Sequence, residues 1–540
     1  MRRRTPRRTD EAGTTSQDPD DGLSAVTVEA AGIEEEVIVP WPLMWQQRVH
    51  RRASSSDRYA WIVTATLLFG MFWVASTITI LSVSRPSIAT DLDASVESLV
   101  WLISGPTVAF ALMGTTAGKL GDLYGHRRIY LLGMAGATLF AVLSALAWSG
   151  GALIATRMLG ATFGAAAGPC SLAIINRLFL PAERSKALGF WSLVVAGGPV
   201  LGLVVGGPLV ESVGWRVIFW AQAPLMLLAV LIAWVLLPET PRRRQVHFDV
   251  PGQLVLFVLL GSLLFGIDRL AAWGLGHPVV LGSFAVVPVA AWWFWKVEQR
   301  AEHPLIPTKW FTRRAFIVPV VVSFFIQFGY MGGFTLTPKL LDEMRGMSPE
   351  TISLIMIPRP LTFAIAGPVA GMLATRITAR STVVAGMVSL VLSMAMFAWV
   401  APDPGTAVVV VALTLSGIGI GAAQPRVAAS VANAVDDQDL GVAGATQQLF
   451  AQVGTAIGMN LLETVQVAAR PSAGLGGSYR IAYGVGTLAS MVGLVIATRM
   501  RDRTDPPRRV RSWSRTRNGT PEGVPSEPVR GGATAPTVTP

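Results

Sequence analysis

Two arginines stand where a bilayer would make them costly. Arg157 lies inside the apolar run Ala152–Leu172, and Arg359, held between Pro358 and Pro360, lies inside the run Thr351–Thr375. A guanidinium at the centre of a bilayer costs about 2.5–3.5 kcal/mol on insertion scales, so each is expected to face a wet cavity or a partner. For Arg157 the alternative is snorkelling to the nearby outer surface; for Arg359 it is a structural ion pair. No Asp or Glu lies deep in any apolar run: Glu211, Asp268 and Glu463 fall at outer ends and Asp122 at an inner end. A cavity lined by both arginines without counter-acids would favour an anionic or amphiphilic ligand over a lipophilic cation.

A polar stripe accompanies them. Gln448, Gln452 and Thr455 follow one another at spacings of four and three, which places them on one helix face, with Met459 and Asn460 below. That face can line a cavity, or its amides can join helices by hydrogen bonds without touching a ligand. Gln327 and Tyr330 carry the same two readings.

Other chemistry is not supported. His50, His126, His247, His277 and His303 are scattered through tails and loops without metal-like spacing. Gly417-Ile-Gly-Ile-Gly421 lies in an apolar run that follows no strand, so it is not a dinucleotide loop, and no phosphate-binding P-loop string occurs. Cys170, the single cysteine, reads as a small packed residue. The chain is therefore not expected to be an enzyme, to need a cofactor or metal, or to bind nucleic acid.

The elements that position these residues follow from composition. Of 540 residues, 51% are hydrophobic and 14% charged, which points to lipid as the solvent. Apolar runs suited to a hydrocarbon core recur near Trp61–Val83, Leu99–Ala117, Ile129–Ala147, Ala152–Leu172, Leu188–Val210, Val217–Leu237, Gly252–Ile267 and Val279–Trp295. Six more lie near Phe316–Pro338, Thr351–Thr375, Thr382–Val400, Thr406–Pro425, Leu440–Leu462 and Ile481–Thr498, making fourteen. Basic residues collect in alternate loops, at Lys119, Arg127 and Arg128, at Arg177, Arg184 and Lys186, and at Arg242–Arg244, which puts both termini in the cytoplasm. The expected organisation is a disordered tail (1–58), a six-helix bundle (59–238), an inserted helix pair (239–300), a second six-helix bundle (301–500) and a second disordered tail (501–540). An echo between Gly118-Lys-Leu-Gly-Asp-Leu-Tyr-Gly-His-Arg-Arg128 and Gly371-Met-Leu-Ala-Thr-Arg-Ile-Thr-Ala-Arg380 relates the two bundles.

The first of those strings is the most specific in the chain. Gly118, Gly121 and Gly125 let helix ends approach, Asp122 can meet the dipole at the amino end of the third helix, and Arg127 and Arg128 suit the headgroup region. The string resembles the loop between helices two and three of the major facilitator superfamily, G-x-L-[GA]-D-x-x-G-[RH]-[RK]-[RK]. Trp101-Leu102, Arg157, Pro181–Gly189, Trp215–Phe219, Pro224, Phe248-Asp249 with Gly252, Glu298 and Pro304–Ile306 are similar to segments of its fourteen-helix drug:proton antiporter family. The resemblance implies an all-α membrane protein with two six-helix bundles plus an inserted pair, exporting a small amphiphilic compound or drug in exchange for protons. It also implies a gate that pairs Asp122 with Arg184.

Two departures bear on that expectation. The family's first helix carries a membrane-embedded aspartate used in proton coupling, and Thr77 stands there. The helix-five pattern G-x-x-x-G-P-x-x-G-G becomes Gly198, Pro199, Gly202, Gly206 and Gly207 with Leu203 in place of the second-block proline; Pro199 offers an alternative kink. Facilitated or differently coupled transport of an anionic metabolite or lipid is the second expectation, and a receptor or scaffold on a transporter frame the third. The expected setting is a monomer in the cell membrane, with a small-molecule substrate and protons as candidate coupling ions.

Overall fold

The computed structural model describes residues 23–30, 33–40, 54, 56, 58–94, 99, 101–240, 249–274, 276–301, 304, 306–401, 403 and 405–501. The second expected tail and the Arg242–Arg244 loop lie outside them. Within the first, the strands β1 (Leu23–Ala30) and β2 (Ile33–Pro40) pair antiparallel, Leu23 opposite Pro40 and Ala30 opposite Ile33. This departs from the expected disorder. The β-branched strings Val-Thr-Val and Val-Ile-Val carry the strand propensity that a reading by charge and helical period passes over.

The first bundle comprises α1 (Tyr59–Asp91), α2 (Trp101–Tyr124), α3 (His126–Ala145), α4 (Gly150–Gly164), α5 (Ala167–Leu178), α6 (Arg184–Val213) and α7 (Arg216–Leu236). The inserted pair is α8 (Val250–Trp273) and α9 (Pro278–Arg300). After the single turn α10 (Lys309–Thr312) come α11 (Arg314–Arg345), α12 (Pro349–Met356), α13 (Pro358–Met372), α14 (Ala379–Val400), α15 (Thr406–Asn433) and α16 (Leu440–Ala497). Eleven helical segments among the described residues are long and apolar enough to cross a membrane, with α4–α5 and α12–α13 each counting as one interrupted segment. In lipid a backbone must satisfy its own hydrogen bonds, which is why apolar length translates so directly into helix.

Local chemistry sets the ends. Ser149, Asp249 and Ser348 accept hydrogen bonds from the backbone amides of Ala152, Gly252 and Thr351, capping α4, α8 and α12. Gly346 closes α11 in the left-handed conformation. At the end of the first bundle opposite the Gly118–Arg128 turn, Asp91 accepts from the Trp215 indole (3.1 Å) and from Arg216, tying α1 to α7. Those hydrogen bonds, Arg216 first, hold the Asp91 carboxyl below its usual pKa.

Helices approach closely where side chains vanish. α11 and α16 cross at Gly454 and Gly458, where a Cβ on Gly454 would stand 2.2 Å from the Phe324 carbonyl oxygen and one on Gly458 2.5 Å from that of Phe328. Small residues of this kind let membrane helices gain dispersion contact that lipid does not supply. Gly454→Val is therefore expected to destabilise by about 1–3 kcal/mol, the usual scale for overpacking. Thermal unfolding of the detergent-purified protein reads this as a lowered midpoint; an unchanged midpoint would mean that the crossing relaxes freely.

Candidate functional site

The turn between α2 and α3 is built by Gly125, whose φ of +97° suits a residue without a side chain. It folds His126 back over the last turn of α2, where a Cβ on Gly121 would lie 2.2 Å from the imidazole Nδ1. His126 is fully buried, and its Nε2 lies 3.0 Å from Asp122 Oδ1. Asp122 thus ends α2 instead of starting α3, and the helix dipole it meets is a different one. Its carboxylate accepts from the backbone amides of Gly441 (3.2 Å) and Val442 (2.9 Å), the first turn of α16 in the second bundle. Gly118 makes room for this: a Cβ there would stand 2.6 Å from the Gly441 carbonyl oxygen. Arg177 places a cation 3.7 Å from Asp122.

Arg184 does not form the expected pair with Asp122. Its Nε donates to the Asn176 carbonyl (2.8 Å), one terminal nitrogen to Asn433 Oδ1 (2.8 Å) and the other to Asp437 Oδ1 (3.2 Å). Asp437 is 71% exposed, so solvent screens that ion pair, and the part-buried bond to Asn433 is the firmer link. Burial also lowers the Arg184 pKa against the opposing pull of Asp437. The two latches run in parallel, each joining the first bundle to the second. A further crossing lies beside them, where Gly189 meets the Gly367 carbonyl and Gly371 that of Ser185. Arg127 stays within the first bundle, donating to Glu239 (2.5 Å) and the Trp234 carbonyl (2.6 Å), and Arg128 is exposed.

Beyond this seal lies a cavity of about 200 Å³. Met71, Phe110, Phe140, Trp191 and Met226 supply apolar wall; Arg157, Gln222, Gln448 and Gln452 supply the larger polar groups. Arg157 is the eighth residue of α4, so it lies about 10 Å along the helix from its amino end. Its guanidinium carbon lies 5.7 Å from the Phe219 ring centroid, and its Nε is buried without a hydrogen-bond partner. Gln448 reaches across from α16 to the position a Cβ would occupy on Gly168. Ser144 and Thr156 also line the cavity and bond each other at 3.0 Å.

Other residues singled out in the sequence fall elsewhere. Arg359 is wholly buried inside the second bundle, its guanidinium carbon 4.0 Å over the Tyr330 ring and 5.4 Å from that of Phe334; it does not line the cavity. Tyr330 also packs on Phe363, and Gln327 is half-buried on the same helix with an unpartnered Oε1. The guanidinium is accommodated by aromatic faces, a cation–π environment instead of an ion pair. Gly198 packs on α1, where a Cβ would meet Ala75 at 3.1 Å. Pro199, Gly202, Gly206 and Gly207 lie on the continuous helix α6, and Thr77 on α1; their surroundings are outside the described residues.

Three participants escaped the sequence reading. His126 was set among scattered loop histidines, though its place directly after Gly125 in the most specific string was a signal. Gln222 donates to the Trp73 carbonyl (2.7 Å) and lines the cavity, but one amide in an apolar run forms no stripe. Asn433 carried no sequence signal.

The Asp122 contact is the stronger test of the seal. Hydrogen bonds to a charged group are worth about 1.5–3 kcal/mol, so Asp122→Ala is expected to shift the closed-to-open ratio by about 10- to 100-fold. A cysteine at Gln452, in a Cys170→Ala background, should then be alkylated correspondingly faster by an impermeant maleimide applied from the side bearing residues 118–128. An unchanged rate would remove Asp122 from the seal.

Comparisons with known proteins bear on the family and the fold. The family model described as Major Facilitator Superfamily matches residues 62–459. The chain is 31% identical over 417 residues to the tetracenomycin C resistance and export protein of Streptomyces glaucescens, covering 76% of this chain and 77% of that one. It is 30% identical over 444 residues to the puromycin resistance protein pur8 of Streptomyces alboniger, covering 81% and 87%. Among solved structures, the human organic anion transporter MFSD10 superposes with a TM-score of 0.57 at 18% identity, covering 81% of this chain and 99% of that one. The proton:xylose symporter XylE superposes with a TM-score of 0.59 at 14% identity, covering 81% and 95%. At such identities the structures speak for the fold alone, but the family match spans most of the chain: the protein belongs to the major facilitator superfamily of membrane transporters.

Proposed function

We propose that this chain exports small amphiphilic compounds across the cell membrane by alternating access, with proton exchange as the driving force. The observation that carries the reading is an apolar cavity with a few polar groups, bounded by both bundles and fastened on one side by bonds that cross between them. The printed names of the relatives, which describe resistance and export, point the same way. The polypeptide crosses the bilayer fourteen times in this reading. To the eleven apolar segments are added α2 and α6, helices of 24 and 30 residues, and α16 is divided near Gly474, whose φ of +69° interrupts it. Both termini then face the cytoplasm, the fastened side is the cytoplasmic one, and the transporter acts as a monomer.

Coupling has to work without an acid in the cavity. Thr77 replaces the family's embedded aspartate, and no carboxylate lines the cavity among the described residues. Asp122 is the carboxylate placed to link coupling to the gate, because its charge holds the first turn of α16.

Proteoliposomes holding only this protein test the reading. Efflux of aromatic amphiphiles is expected to rise at least fivefold under an imposed pH gradient, and Asp122→Asn is expected to abolish that dependence. Flux indifferent to the gradient would reject proton exchange in favour of facilitated or differently coupled transport. Repeated absence of flux, beside an active control transporter, would reject transport in favour of a receptor or scaffold.

A further inference from the structure

We infer that the cavity selects amphiphiles carrying one negative charge, with Arg157 as the anchor for that charge; the inference rests on the export reading and narrows its substrate class. The sequence suggested a cavity with two arginines. The structure leaves one, because Arg359 is enclosed by Tyr330 and Phe334 in the second bundle. Arg157 is thereby the sole charged side chain on the cavity wall among the described residues.

Its charge is not neutralised there. No ion pair or hydrogen bond engages it among the described residues, its Nε is buried without an acceptor, and its guanidinium carbon lies over the Phe219 ring, 5.7 Å from the centroid. A guanidinium cannot shed its proton to escape burial, so the countercharge must come from whatever occupies the cavity. Water can solvate the guanidinium through its oxygens but carries no charge, whereas an anionic group supplies both the charge and the planar, two-pronged match that a guanidinium favours.

The rest of the wall fits the same ligand. Gln222 donates to the Trp73 carbonyl, and the side-chain carbonyls of both Gln222 and Gln448 are buried without a partner; with no bond from its NH₂ to hold it among the described residues, the Gln448 amide can present that group by turning over. Gln448 belongs to the second bundle and Arg157 to the first, so an anion held by both would be gripped across the moving interface. Trp191, Phe110 and Met226 offer the apolar body a slot. A cationic amphiphile would meet Arg157 with no acid among the described residues of the wall to offset the repulsion.

The test uses three fluorescent probes of equal size and aromatic body, bearing a carboxylate, a quaternary ammonium or a neutral amide, in proteoliposomes of the full chain. The carboxylate probe is expected to move at least tenfold faster than the ammonium probe. Arg157→Gln should bring that ratio to within twofold, and Arg157→Lys should keep most of it. Because the ratio is taken within one preparation, a partial loss of folded protein leaves it unaffected, and the wild-type ratio stands without any variant. Equal or faster movement of the ammonium probe would overturn the inference while leaving export intact, and so would a ratio that survives in Arg157→Gln. No movement of any probe, with insertion verified, would overturn the export reading and the inference together.

Discussion

A carboxylate from one bundle caps the first helical turn of the other, and the closed arrangement depends on that contact. The amides at the start of α16 have no partners within their own helix, and the end of a helix near a bilayer has little water to serve them. Asp122 satisfies Gly441 and Val442 directly. Because the acceptor is charged and 4% exposed, the bond is strong while the bundles touch and costly to leave unmade when they part. Under the proposed alternating access, a contact with those two properties would make the interface bistable. It also explains the glycines around it, since the bond distances require α2 and α16 to pass with Gly118 against Gly441.

Much of this was legible in the sequence, and the boundary of legibility is physical. Apolar runs gave the helices because lipid forces each segment to satisfy its own backbone, a local demand that leaves a local signal. The Gly118–Arg128 string was equally visible, since tight turns and headgroup charges impose residue types at fixed offsets. The partner of Asp122 was not visible, being 319 residues away and consisting of backbone amides that carry no side-chain signature. The hairpin of β1 and β2 was missed because the surrounding charge masked two short strands.

The two arginines show the same boundary more sharply. Both are cations in apolar runs, and no property of composition separates them. Arg157 lies on α4 where that helix borders the cavity; Arg359 points between α11 and α13, where Tyr330 and Phe334 receive it. The difference is one of helix rotation and of what the neighbouring helix offers, and rotation is fixed by packing. The consequence is an asymmetric pair of bundles: the first contributes most of a largely apolar cavity with Arg157 on its wall, and the second encloses its own arginine. A ligand held in the first bundle and touched by α16 through Gln448 and Gln452 would therefore be bound chiefly by one half and sensed by the other.

The inserted pair fits that division of labour. At one end α8 is bound to the first bundle by directional contacts: Phe265 stacks on Trp101 with centroids 6.3 Å apart, and the Arg269 guanidinium lies 4.4 Å over the same indole. Past α9, Lys119 of α2 donates to the Pro304 carbonyl at 2.8 Å. Against α16 the helix α8 packs Leu256 and Leu260 on Leu449, with Leu112 of α2 and the Phe294 and Phe450 rings alongside. Aliphatic packing has no preferred bond direction, so it resists separation while tolerating small slips that directional contacts would not. The inserted pair thus meets the first bundle through directional aromatic and cation–π contacts and α16 through apolar packing, beside the seam between α2 and α16.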